Sequence, residues 1–385
     1  MRVMGRVSVA ILALAMAAYL AFGPARASAS QVSCGDTITT DTKLDRSLVN
    51  CPNNGIVIGA DNITLDLNGH TIDGDGKSSG CPVTAICDVG VANADGHVGV
   101  TIEGGSVKEF EFGVLLDGVA GNRLLELAAS SNFFSGISLF DSTDSRVVKS
   151  SADDNGLTTE ANGIQLFGSR HVRIERNSVS GNGDDGIDVS DSNHNLIAKN
   201  RASDNVFAAM GINGNGNVVS RNVTRNPGDI IVVGNRNVIT RNHVADSLGC
   251  PEGCGFGISF EGGHDNLIAR NFVKHASVAG IRVAAFEPDT PPAIDNVVRG
   301  NHVRRSHDGF LVESTAARTL VEGNHAVRSE DDGFDVDSRT TTITRNHAVH
   351  NGDWGIKAVA GVIDGGGNQA HGNGNPAQCL NVVCK

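Results

Sequence analysis

Asn195-Leu196-Ile197-Ala198-Lys199-Asn200 is one copy of a phrase that recurs along most of this chain. It returns as NVVSRN closing on Asn222, NVITRN on Asn242, NLIARN on Asn271, NVVRGN on Asn301, TLVEGN on Asn324 and TTITRN on Asn346, with VRIERN closing on Asn177 as an earlier copy. Successive closing asparagines lie 23, 22, 20, 29, 30, 23 and 22 residues apart. A period of this size marks an array of units too small to bury a core alone, each relying on its neighbours.

A second phrase follows each Asn: a Gly, an apolar residue, a variable residue and another apolar one. Gly136-Ile137-Ser138-Leu139, Gly186-Ile187-Asp188-Val189, Gly280-Ile281-Arg282-Val283 and Gly333-Phe334-Asp335-Val336 are copies. They read as short strands of period two, separated by Asn, Gly and Asp turns, and no stretch reads as an amphipathic helix. Three strands per turn of about 22 residues, stacked at about 4.8 Å per coil, predict an all-β parallel β-helix. The recurrent Asn is expected to take the left-handed turn conformation and to bond through its amide to the next Asn in the stack.

On these two phrases the chain resembles the right-handed parallel β-helix repeat family, the pectin-lyase-like superfamily that also holds periplasmic copper-maturation proteins. The resemblance runs from about Asn62 to Gly365 and rests on scaffold positions, so it implies fold more than activity. Gly183-Asp184-Asp185-Gly186-Ile187 is similar to the paired-Asp motif of the polygalacturonase branch. That branch also carries Asn-Thr-Asp, Gly-His-Gly and Arg-Ile-Lys segments, which have no counterpart at matching places here.

Residues 1–29 have the charged start, short apolar stretch and small-residue site of a secretory signal peptide, so the mature chain is expected to be exported, with no membrane attachment after cleavage. The eight cysteines then read as four local disulfides, Cys34–Cys51, Cys81–Cys87, Cys250–Cys254 and Cys379–Cys384, which close the two ends of the solenoid and two loops. The organisation expected is a cap over 30–60, the β-helix over 61–364 and a cap or tail over 365–385, as a monomer. A net charge of -12 argues against nucleic acid as a partner. Residues 76–94, 157–162, 248–255 and 285–294 exceed the repeat and are expected to leave the stack as loops that build a groove.

Equal positions on successive coils form columns. One outward column is expected to run Ser138, Gln165, Asp188, Asn213, Ser259, Arg282, Leu311, Asp335, Lys357. Two acidic groups touch it, one at Asp184, Asp185, Asp188 and Asp191, the other at Glu330, Asp331, Asp332, Asp335 and Asp337. Six coils separate Asp188 from Asp335, roughly 29 Å, so the two groups cannot serve one bond. The second is preferred, because Asp335 and Asp337 two residues apart place carboxylates about 7 Å from each other. Asp335, Asp332, Lys357 and Arg282 are the candidate catalytic residues, Asp331, Asp332, Asp335 and Asp337 a candidate calcium set, and Trp354, Asp308 and His307 the nearby substrate contacts. Trp354 is the only tryptophan and suits a sugar-stacking platform.

Two more columns carry charge. Arg176, Lys199, Arg221, Arg241 and Arg270 each precede a repeat Asn and form a basic stripe, with Arg221 and Arg241 as candidate contacts to a polyuronate. His302, His325 and His347, with His243 further back, follow the repeat Asn and stack as a candidate transition-metal ladder. The reading that results is an exported protein that binds, and cleaves or epimerises, an extracellular polysaccharide, a polyuronate. If it is an enzyme, a lyase or C5-epimerase comes before a glycoside hydrolase. The alternatives are a non-catalytic binding or surface-structural protein, or a metal handler using the His column.

Overall fold

A computed structural model describes residues 31–77, 87–156, 161–249, 255–286 and 290–385. Every β pairing in it is parallel between successive coils. One coil consists of Leu196–Ala198, Arg201–Ser203 and Met210–Asn213, and these pair in register with Val218–Ser220, Val223–Arg225 and Ile230–Val233 of the next. The third strand of each coil belongs to a sheet of 15 strands that runs from Asp36–Ile38 to Cys379–Leu380, here called the first sheet. The other two strands build the remaining walls. Pairing continues past residue 364 through Ile363–Gly366 and Gln369–His371.

The alternation seen in the sequence decides what faces inward. Ile174, Ile197, Val219, Ile239, Ile268, Val298, Val321 and Ile343 pair one above another, none more than 1% exposed. Each such side chain contributes roughly 1.5–3 kcal/mol by leaving water, and only because a neighbouring coil covers it. Phe310 and Phe334 stack in the same way on the first-sheet side, ring centres 4.6 Å apart.

The Asn ladder forms as expected, but the turn geometry does not. Asn200 Oδ1 accepts the backbone and side-chain N–H groups of Asn177 at 2.9 and 3.1 Å, while its own amide donates to Ile174 O and Asn222 Oδ1. All its polar atoms are thus satisfied inside a buried corner. The left-handed residue is the one before: Lys199, Arg221, Arg241 and Arg270 have φ between 57 and 60°, and Gly300 and Gly323 take that position with φ 62°. The chain turns at this residue, whose side chain points away from the corner, and Asn is then free to turn inward.

Two further ladders share this construction. One runs Asn195, Asn217, Asn237, Asn266, Asn296, the other Asn132, Asn155, Asn182, Asn205, with Asn351 and Asn373 further on. The first of them is visible in the quoted phrase itself, whose two asparagines lie five residues apart because a three-residue strand and one turn residue separate adjacent corners.

All four expected excursions adjoin first-sheet strands in sequence, and residues 78–86, 157–160, 250–254 and 287–289 of them lie outside the described residues. The first is shorter than its expected span, since Val89–Asn93 is itself a buried first-sheet strand. The outward column also differs by one coil: Asp188 pairs with Gly211, not Asn213, and the column continues through Ile231. Ala209 takes the place of the usual Gly there, so the Gly-based alignment slips by two residues. Disulfides Cys34–Cys51 and Cys379–Cys384 close the two ends. Cys87 is disulfide-bonded; Cys81, Cys250, Cys254 and the signal segment lie outside the described residues.

Candidate active site

At the C-terminal end of the first sheet, register alone assembles a group of acids around one ammonium. Asp335 and Lys357 are paired across adjacent strands, and Lys357 Nζ lies 2.8 Å from Asp335 Oδ2 and 3.3 Å from Asp332 Oδ2. Two anions on one cation hold the Lys357 ammonium well above its usual pKa, the Asp335 hydrogen bond being the main cause. In this arrangement Lys357 is a fixed positive charge rather than a base.

Asp332 is the buried partner, its side chain 2% exposed. Its Oδ1 accepts the backbone N–H of Trp354 at 2.9 Å, and burial pushes its carboxyl above the usual range. One coil earlier, Asp308 Oδ1 accepts the Asp332 N–H at 3.1 Å. Burial raises Asp308 further, to about 6. That value suits a group that takes or gives a proton near neutral pH.

Asp335 has a second feature. Its Oδ1 is buried and has no hydrogen-bond partner, although Oδ2 is paired. Asp337, two residues on and across buried Val336, faces out and is raised by burial and by Asp335. Trp354 follows Asp332 in its column, half-buried at the edge of the same group, as the sequence predicts.

The candidate calcium set does not gather as a unit. Ligand atoms of Asp331, Asp332 and Asp353 lie within 4.8 Å of one another, and so do those of His307, Asp308 and Asp331. Asp335 and Asp337 belong to neither group, because Lys357 holds Asp335. Asp353 is a member that sequence reasoning missed; it stands one coil after Asp331, as the backbone bond from Asp353 N–H to Asp331 O shows.

Arg282 is placed differently. Its side chain, 6% exposed, pairs with Glu313 at 2.7 Å and Glu261 at 3.4 Å and sits between the rings of Phe256 and Phe286, 4.6 Å from each. It fastens the sheet two coils before Asp335, and its guanidinium is engaged on all sides. Glu261 and Glu313 went unread because they stand 21 and 31 residues from Arg282 in sequence, the second distance stretched by the excursion at 285–294.

The first acidic group is apart from this site. Asp185 is buried, accepts the Ala208 N–H and is raised well above its usual value by burial; Asp188 is raised by the same cause and held by Ser190 and Gln165. The His column forms with Phe272 between His243 and His302. Ring centres lie 4.7–5.9 Å apart, in tilted or stacked pairs. Rings stacked this way turn faces, not nitrogens, toward each other, and no group of three convergent ligands includes them among the described residues. Arg221 and Arg241 lie on the far corner, away from the acids.

A family model agrees with the fold. The family model described as right-handed beta helix region matches residues 89–243, 162–315 and 229–382. No curated protein matches the sequence. Among solved structures, the mannuronan C-5 epimerase AlgE4 A-module of Azotobacter vinelandii is similar at 12% identity and TM-score 0.49, over 91% of both chains. A double mutant of the periplasmic alginate epimerase AlgG aligns at 14% identity and TM-score 0.46, over 92% of this chain and 80% of that one. The catalytic domain of a GH87 α-1,3-glucanase in complex with tetrasaccharides gives 14% identity and TM-score 0.46, over 76% of this chain. The aligned part spans 64% of that domain.

Proposed function

Because the chain belongs to the right-handed β-helix family, a scaffold that supplies a long rigid face and leaves chemistry to the side chains on it, we propose that it acts on an extracellular polysaccharide by acid–base chemistry in the first-sheet groove. One observation carries this reading. The Lys357 ammonium holds Asp335, which keeps one buried oxygen unpaired, and Asp332, which accepts the backbone N–H of the only tryptophan and donates its own N–H to the Asp308 carboxylate. Ordinary turn chemistry requires none of these together.

The substrate class is a polyuronate. Trp354 offers an apolar surface to a sugar ring, and Lys357, held in place by Asp335, compensates the sugar carboxylate. Asp308 in its ionised form takes the proton from C5. The electron pair released closes a C4–C5 double bond as the C4–O bond breaks in elimination, the departing oxygen taking a proton from water, or recaptures a proton from water on the opposite face in epimerisation, Asp308 then losing its proton to solvent. Acids outnumber the single ammonium, so the polymer enters with a divalent counter-ion such as calcium. The two end disulfides and the leader-like start of the sequence support export, to where such polymers occur.

The test is a screen of the mature protein on uronate polymers with and without calcium. Absorbance of unsaturated ends reports elimination and proton exchange at C5 reports epimerisation. Product from the wild type and none from Asp308→Asn supports the reading. Reducing ends without unsaturation would replace it by hydrolysis, and retention without product by a binding module.

A further inference from the structure

The His column lies on a different wall from the acidic groove, and its surroundings are cationic. Beside Phe272, two residues further along the same strand and its pair on the next coil, stand Lys274 and Arg304. Arg305 follows at the corner in the left-handed conformation, φ 53°. Phe272, Lys274, Arg304 and Arg305 together line a cavity of about 130 Å³. Across the preceding corner, Arg241 and Arg270 continue the basic stripe. None of these five cations has a carboxylate within 4.0 Å among the described residues, whereas Arg173, Arg236, Arg318 and Arg345 elsewhere on the surface each have one. In a chain of net charge -12 this is a local reversal of sign.

We propose that this wall is a second binding surface, an anion-binding face that holds the carboxylates of an acidic polysaccharide, with the Phe272–Lys274–Arg304–Arg305 cavity as its principal subsite. Three unpaired cations around one cavity recognise a carboxylate by charge-assisted hydrogen bonds, and the guanidinium pair allows a bidentate contact. Cations at successive coils recur at about 4.8 Å, close to the length of one sugar unit, so a polymer with one carboxylate per unit meets them in step. A nucleic acid fits less well. Bases bind by stacking on ring faces, and here the faces of His243, Phe272, His302 and His325 are covered by one another. The inference concerns retention and stands whether or not the groove is catalytic.

Affinity electrophoresis of the mature protein in gels containing polyuronate, a neutral glucan or single-stranded DNA tests it. Wild type is expected to be retarded by polyuronate alone, with retardation falling steeply as salt is raised. The Lys274→Gln/Arg304→Gln/Arg305→Gln variant should lose at least tenfold in affinity with an unchanged circular dichroism melt. Arg318→Gln, which removes an ion-paired cation from another corner, should lose nothing. Unchanged affinity in the triple variant, or equal retardation by single-stranded DNA, would overturn the proposal. Loss of product in Asp308→Asn is read separately, so failure of either surface leaves the other visible.

Discussion

Asp308 shows how one residue can serve chemistry at the expense of stability. Its carboxyl is raised from 3.8 to about 6 by burial. A carboxyl raised in the folded state adds stability that is full below the unfolded value and lost as pH rises through about 6, so at neutral pH the ionised group is a cost. A shift of about two units corresponds to roughly 3 kcal/mol, which solvent screening reduces to about 1–2. Asp308→Asn keeps the acceptor for the Asp332 N–H. It is therefore expected to unfold at higher denaturant above pH 6 by about that amount, while turnover falls at least a hundredfold. A loss of stability at pH 7.5 in urea titration would refute the electrostatic account of this site. Arg221 gives a second residue-scale outcome. It holds the left-handed conformation at φ 57° with no ion pair among the described residues, and Gly already fills that corner at 300 and 323. Arg221→Gly should stabilise by about 1 kcal/mol, read as a shift in the urea midpoint.

Among the elements, the asparagine ladders and the aromatic column behave differently. Asn222 Oδ1 accepts two N–H groups from Asn200, and its amide donates to Ile197 O and Asn242 Oδ1. Asn222→Ala leaves these buried groups unpaired and should cost about 2–4 kcal/mol by equilibrium unfolding, far more than any change at Arg221. The His column answers to pH. Burial, and for His302 and His325 a neighbouring imidazole, lower the folded values of His243, His302 and His325. A lowered His binds its proton more readily in the unfolded chain. Its contribution is present above about pH 6.5 and lost as pH falls through the folded value. The stability gap between wild type and His302→Gln/His325→Gln should thus narrow between pH 8 and pH 5, while the raised carboxyls act equally in both. A gap that stays constant would contradict the lowering of these imidazoles by burial.

This is also where sequence reading reached its limit. The phrase ending in Asn200 discloses the coil because a solenoid repeats its local rules, and register then places Trp354 on Asp332 and Lys357 on Asp335. Arg282 stood in the correct column, yet its role was illegible. One of its partners, Glu313, lies beyond the excursion at 285–294, and the ring of Phe286 that covers it belongs to that excursion, not to the repeat. Phe272 in the His column and Asn213 in the outward column failed for related reasons, one an untypical residue in a typical place, the other a shift caused by Ala209.

For the whole molecule, each coil contacts only its neighbours, so stability is a sum of local terms and the ends are the weakest units. Cys34–Cys51 closes a loop of 17 residues over the first coil, a constraint worth about 3 kcal/mol. Reduction should raise amide hydrogen exchange in strands Asp36–Ile38 and Leu48–Cys51 and leave the coil around Ile197 and Val219 protected. Uniform loss of protection would mean that the solenoid unfolds as one unit. The same rigidity keeps the acidic face and the basic wall at a fixed spacing.

The most direct measurement of the central claim follows turnover and retention of a calcium polyuronate on the same samples of wild type and Asp308→Asn between pH 5 and pH 8. The account predicts wild-type product formation that rises through a limb near pH 6, and a variant that retains the polymer but forms no product. Equal turnover by the two proteins at every pH would contradict it.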